Sequence, residues 1–118
     1  MSHIVTITIE VRDLAALSAA CRRLNLPAPV QGTHDVFGQI VEGHGVQLPD
    51  WDYLVVFNLG TGKGVYDNYG GKWGKQEHLD SFMQAYGVEK TKLELRRKGY
   101  RPTEQTRADG SIVVSCAV

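Results

Sequence analysis

Arg101-Pro102-Thr103-Glu104-Gln105-Thr106-Arg107-Ala108-Asp109-Gly110-Ser111-Ile112-Val113-Val114-Ser115-Cys116-Ala117-Val118 reads as two strands about a tight turn. Asp109-Gly110 supplies the positive φ angles that a short hairpin connection requires, so residues 101–107 and 111–118 are expected to pair antiparallel. Ile112, Val114, Cys116 and Val118 recur with the period of a strand, which predicts that their common face is buried. A slip of one residue would turn that whole set to solvent. An adjacent hairpin of this kind points to an antiparallel sheet.

Upstream lies a helical pattern. Leu79, Phe82, Met83 and Tyr86 fall at i, i+3, i+4 and i+7, and Lys90, Leu93 and Arg97 continue the line. The helix is expected to begin near Gln76. Gly87 interrupts the pattern and predicts a kink or a break into two helices. Gly99 suits a left-handed C-cap, with Lys92, Arg96, Arg97 and Lys98 complementing the negative end of the dipole. A first helix follows Asp13, an N-cap candidate, with an apolar stripe of Leu14, Leu17, Cys21 and Leu24 ending near Asn25 and Pro27.

The remaining strands are read from alternation and apolar runs. Residues 4–11 place Val5, Ile7, Ile9 and Val11 on one side and Thr6, Thr8 and Glu10 on the other. Residues 27–34 read as a loop, 36–42 as a second strand with a bulge at Gly38, and Gly43-His44-Gly45 as a turn. Residues 53–59 are almost wholly apolar and are expected to form a central strand. A short strand is expected at 65–67, after a turn through Gly60, Gly62 and Gly64. The expected architecture is a single α+β domain over residues 1–118, with an antiparallel sheet of five to six strands, two helices on one face, and the order β-α-β-β-β-α-β-β.

The chain has 118 residues, of which 42% are hydrophobic and 22% charged, enough for one domain with its own core. Thirteen basic residues balance thirteen acidic ones, so the global charge of a dedicated nucleic-acid binder is absent, although a local patch is compatible with the balance. Cys21 and Cys116 make no disulfide framework and are expected as buried thiols in a reducing compartment. No stretch approaches the length of a membrane span, and the opening residues carry no secretion-signal pattern. The expected location is by default the cytoplasm, or a plastid stroma, or a host cytoplasm if the protein is viral.

Motifs that carry chemistry are sparse. His3, His34, His44 and His78 show no zinc-site spacing, and no nucleophile elbow surrounds Ser81, Ser111 or Ser115. No metal, cofactor or catalytic residue is therefore assigned. Asp50 and Asp52 flank Trp51 as turn residues. The run Gly60-Thr61-Gly62-Lys63-Gly64 lacks the spacing and the Lys-Ser/Thr ending of a phosphate loop and reads as a hairpin turn.

The segment from Gly64 to Gly74, Gly-Val-Tyr-Asp-Asn-Tyr-Gly-Gly-Lys-Trp-Gly, is different. It places Tyr66, Tyr69, Lys72 and Trp73 beside flexible backbone, and these four are the candidate ligand-binding residues. Rings next to a cation form a stacking surface for a nucleotide or a nucleic-acid segment. The alternative is that Tyr66 and Trp73 cap the core with their polar tips at the rim.

Several pieces resemble a family: the opening Met1-Ser2-His3, the helix led by Asp13, Asp52-Tyr53, Val65-Tyr66 followed by Trp73-Gly74, Phe82 and Tyr86, and Gly99-Tyr100 through Asp109-Gly110-Ser111-Ile112. Together they are similar to the hypothetical chloroplast reading frame thirty-five proteins, small cyanobacterial and plastid proteins with a domain also seen in bacteria and phages. The chain departs from that pattern between Asp67 and Lys72, where the family tends to carry an apolar strand. The resemblance implies a fold and a cellular setting but no reaction. The functional expectation is a non-enzymatic binding or regulatory domain, whose ligand is a nucleotide, a nucleic-acid segment or a protein partner. A phage origin would fit the capture of a host signal. The alternatives are an assembly protein that self-associates or pairs through an edge strand at residues 101–107, and a small enzyme using His34, Asp35 or His44.

Overall fold

The structure is a computed structural model that describes residues 5–7 and 10–117. The fold is α+β. Its elements are β1 (Val5–Ile7), α1 (Leu14–Arg23), β2 (Val30–Val36), β3 (Gln39–Val46), β4 (Val55–Asn58), β5 (Lys63–Tyr66), a 3-10 turn (Tyr69–Gly71), α2 (Gln76–Arg97), β6 (Arg101–Thr106) and β7 (Ile112–Ala117). Five strands form one antiparallel sheet in the order β1-β5-β4-β3-β2, and β6 and β7 form a separate two-stranded sheet. The order is thus β-α-β-β-β-β-α-β-β, with one more strand before α2 than the sequence led us to expect.

That extra strand corrects the reading of residues 27–46. Val30–Val36 and Gln39–Val46 pair in continuous register from Val30↔Gly45 to Val36↔Gln39. The connection is the two residues Phe37 and Gly38, at φ 46° and 84°. Positive φ at both positions is the two-residue turn that matches strand twist, so Gly38 belongs to a turn and not to a bulge. Gly43, His44 and Gly45 lie inside β3. Pro27, Pro29 and Gly32 read as a loop and hid a strand, because β2, Val-Gln-Gly-Thr-His-Asp-Val, carries little apolar signal.

Both helices cover one face of the sheet. Leu17, Ala20 and Cys21 of α1 and Leu79, Phe82, Ala85 and Tyr86 of α2 share a core with Val46, Val55, Phe57 and Tyr66. Phe57 and Phe82 stack with centroids 6.0 Å apart. Asp13 caps α1 through the Ala16 amide at 3.2 Å. The Tyr86 hydroxyl accepts from the amides of Arg12 and Asp13, tying α2 to the start of α1. Leu14, expected on the apolar stripe, is instead 45% exposed. Of the strand read over 4–11, Ile4, Thr8 and Ile9 lie outside the described residues. Val11 follows the strand as a buried loop residue, its amide donating to the Gly62 carbonyl.

Helix α2 runs unbroken for 22 residues, so Gly87 neither kinks nor divides it. Gly87 lies on the exposed side, where a missing side chain leaves no hole, and the burial of Phe82, Ala85, Tyr86 and Val88 around it holds the helix straight. Gly99, at φ 88°, ends the helix as expected, with the Tyr100 amide donating to Leu95.

The second correction concerns β6 and β7. The hairpin forms as read, but it lies on α2 and does not extend the main sheet. Ile112 and Val114 are only half-buried and Cys116 is exposed. Val118 lies outside the described residues. The face that carries these residues packs on a helix partly through charge: Glu104 pairs with Arg23 of α1 at 2.8 Å and with Lys92 of α2 at 3.0 Å.

Candidate functional site

The aromatic segment is built on two buried polar residues. Asp67 and Asn68 follow β5 directly, both with almost no exposure. The Asp67 carboxylate accepts from the Tyr69 amide at 3.0 Å, while its second oxygen, Oδ2, has no hydrogen-bond partner among the described residues. The Asn68 carbonyl accepts from the amides of Gly71 and Trp73, and its side-chain amide reaches the Gly74 carbonyl at 3.3 Å. These bonds force a tight loop. Tyr69, Gly70 and Gly71 hold φ of 47°, 62° and 102° in succession, which is why two glycines are spent there. The loop is then fastened to the segment before β4, where the Asp52 amide donates to the Trp73 carbonyl at 2.9 Å.

Three of the four candidate residues come together. Tyr69 stacks on Trp73 with centroids 4.8 Å apart and planes at 23°. The Lys72 ammonium sits 5.0 Å from the Tyr69 ring centre, a cation–π distance. Tyr66 is separated from them. Its ring turns to the helix side, is only 7% exposed, and meets Trp51 edge-on at 5.6 Å. A ring buried there is part of the core and offers no face to a ligand. Trp51 is itself buried, with its indole N–H donating to the Lys75 carbonyl.

Two further rings complete the site. Phe37, at the tip of the β2–β3 hairpin, approaches Trp73 to 4.5 Å and Tyr53 to 5.9 Å. Tyr53 meets Trp73 edge-on at 5.5 Å. Trp73 is therefore the hub of a four-ring cluster drawn from three segments: a hairpin tip, the approach to β4 and the loop before α2. Sequence reasoning missed Phe37 and Tyr53. The available signal was an aromatic residue directly before Gly38, where a two-residue turn ordinarily takes Asn or Gly.

The hairpin reaches Trp73 by passing over the face of the sheet opposite the helices. Val36 and Val56 are fully buried yet lie outside the helix-side core. A cleft of about 400 Å³ lies between this arm and the sheet, lined by Gln39, Val41, Val56, Asn58, Lys63 and Val65 among others. Where the arm leaves the sheet, Gly32 faces Gly43 across the ladder. A Cβ at Gly43 would press on the Phe57 carbonyl, so the ribbon bends where neither strand carries a side chain.

The other candidates do not assemble. His34 and His44 sit on opposite faces of the β2–β3 ribbon by register, and His34 Nε2 contacts the Val30 carbonyl at 2.9 Å. Among the described residues, no three His, Cys, Asp or Glu side chains gather as metal ligands. In the turn before β5, the amides of Gly60 and Thr61 are taken by the Asn58 side chain, while their carbonyls accept from Arg12. That turn presents acceptors, the wrong polarity for phosphate. Burial pushes the Cys21 thiol up to about 11, which leaves it inert at neutral pH. No helix among the described residues is long and apolar enough to cross a membrane. Comparison with known proteins finds no matching family model, no matching curated protein and no matching solved structure.

Proposed function

We propose that this chain is a non-enzymatic binding domain that docks a protein partner through the four-ring surface of Phe37, Tyr53, Tyr69 and Trp73, with Lys72 at its rim. One observation carries the reading. Among the described residues, four non-glycine residues hold positive φ: Asn25, Phe37, Asp50 and Tyr69. Asn and Asp tolerate that conformation, whereas bulky aromatics are strained in it. Both strained aromatics belong to one cluster, and Phe37 remains 44% exposed. Backbone strain of about 1–3 kcal/mol per residue collects at functional surfaces. A ring that only filled space would more economically sit at an unstrained position.

The choice of partner follows from how the rings are used. Tyr69 already stacks on Trp73, and Lys72 lies over Tyr69. What the cluster presents is ring edges, hydroxyls and a cation, the composition that anchors protein interfaces. A base stacking on Tyr69 would first have to displace Lys72. Kinship with the chloroplast reading frame family belongs to this same proposal and rests on the stretch from Gly99 to Ile112.

Phe37→Gly tests the reading without a known partner. Glycine relieves the strain at φ 46°, so a ring kept for docking predicts an unfolding free energy within about 1 kcal/mol of the parent. A loss of 3 kcal/mol or more, as for a buried Phe truncation, would make Phe37 structural and sink the proposal. A photo-crosslinker at Lys72 in the producing cell then identifies the ligand. A discrete protein adduct that disappears with Phe37→Gly supports it, and a nucleotide adduct transfers the site to nucleotide binding.

A further inference from the structure

The outer face of the β6–β7 ribbon carries the charge that the chain as a whole lacks. Glu104 is the one acid in β6, and it points inward to Arg23 and Lys92. Strand alternation therefore turns Arg101, Thr103 and Gln105 outward, and all three are exposed. Ser115, paired with Thr103, shares that face. Lys98 stands at the root of the ribbon and Arg107 at its far end, both exposed. Of the neighbouring cations of α2, Lys90 pairs with Glu94, Lys92 with Glu89 and Glu104, and Arg97 with Asp13, while Arg96 is exposed. Lys98, Arg101 and Arg107 have no ion pair among the described residues. Two acids stand near this face, and both are engaged: Asp109 in the turn is bound to the amide and hydroxyl of Ser111, and Glu94, one helical turn before Lys98, pairs with Lys90.

We infer that this face binds double-stranded DNA, with the β6–β7 ribbon lying in the major groove. This surface is separate from the aromatic cluster and goes beyond the function proposed above. Two antiparallel strands fit a groove about 12 Å wide, whereas the major groove of an RNA duplex is too deep and narrow for side chains to read. The geometry therefore selects B-form DNA. Arg101 and Arg107 stand about 20 Å apart at the two ends of β6, spaced to meet phosphates along the strand that borders the groove. Thr103, Gln105 and Ser115 lie between them with both donors and acceptors for base edges. The helix α2 behind the ribbon holds it rigid. The Gln84 side chain donates to the Gly110 carbonyl at 3.0 Å, which anchors the turn to the helix.

Fluorescence anisotropy of a labelled mixed-sequence duplex of about two helical turns tests the inference, in salt from about 50 to 200 mM. Three phosphate-neutralising cations predict a log–log salt slope of about −3, at roughly −0.9 each. The triple variant Lys98→Gln, Arg101→Gln, Arg107→Gln should weaken binding at least about tenfold at the lowest salt and flatten the slope. Thr103→Glu, which adds an acid at the centre of the face, should do the same and serves if the triple variant is unstable. Phe37→Gly should leave DNA binding intact, which separates this surface from the docking proposal. Absence of binding at about 50 mM salt, equal affinity for duplex RNA or single-stranded DNA, or undiminished binding by a folded variant would each overturn it.

Discussion

Asn68 shows how one buried amide can build a surface it does not belong to. Its carbonyl takes the amides of Gly71 and Trp73, and its side chain holds Gly74 and meets Gln76. Asn68→Ala should cost about 1–3 kcal/mol, because it leaves the Gly74 carbonyl unpaired in a buried setting. It should also shift tryptophan emission to the red as Trp73 loosens; an unchanged spectrum would count against Asn68 as the support of the loop. Gly74 makes the opposite argument, by close approach. A Cβ there would enter the Trp51 indole, so Gly74→Ala should destabilise by about 1–3 kcal/mol, measured by urea unfolding. At this scale part of the site was legible. Tyr69, Lys72 and Trp73 are adjacent in sequence and adjacent in space. Tyr66 was misplaced because strand parity, which sends it to the helix side, depends on the register with β4, and register is not local. Phe37 and Tyr53 were invisible for the same reason: their rings meet Trp73 only after the hairpin has crossed the sheet.

At the scale of the element, α2 and the β6–β7 hairpin each test a local rule. Gly87 costs the helix up to about 1 kcal/mol relative to alanine, and a Cβ at that exposed position meets nothing within 4 Å. Gly87→Ala should therefore stabilise by about 0.5–1 kcal/mol, read as a higher denaturant midpoint with an unchanged slope; a destabilised variant would show that the glycine serves a contact. The hairpin is fastened by Glu104, whose pairing with Arg23 and then Lys92 holds its carboxyl down to about 2, against an ordinary 4.5. A depressed carboxyl stabilises the fold above the unfolded value and loses that contribution as pH falls from about 4.5 toward 2. The group is partly exposed, and solvent screening limits the effect to about 1 kcal/mol. Glu104→Gln should be less stable than the parent at neutral pH by about that much, and the two curves should converge near pH 2. A constant gap down to that pH would remove the charge from the account. Helices, caps and the Asp109-Gly110 hairpin were readable because their signals are short-range. The strand at Val30–Val36 was not, because its partner and its bend, not its composition, make it a strand.

The whole molecule places its two helices on one face of the main sheet and its own hairpin arm across part of the other. The extents of 51 × 32 × 23 Å describe an elongated body for a chain of this length. Its two cysteines divide accordingly. Cys21 is sealed under the helices and Cys116 lies exposed on the outlying hairpin, so a thiol reagent should modify one thiol in the native state and a second only on unfolding. Two fast-reacting thiols would contradict the packing of α1. The arm raises the larger question of whether it is a fixed layer or a projecting ribbon. Val36 answers it, since it sits one residue from the tip and has no exposed surface. If the arm is packed along its length, Val36→Ala removes buried methyl groups and should cost about 2 kcal/mol in global stability. It should also speed amide exchange through β2 and β3 more than through β4 and β5, because the arm opens as its own unit. If the arm projects freely, the same substitution should cost almost nothing, and Phe37 would rest on Trp73 only in passing. A stability loss with uniform exchange would mean that the arm and the sheet unfold together, and the four-ring cluster would then be as rigid as the core beneath it.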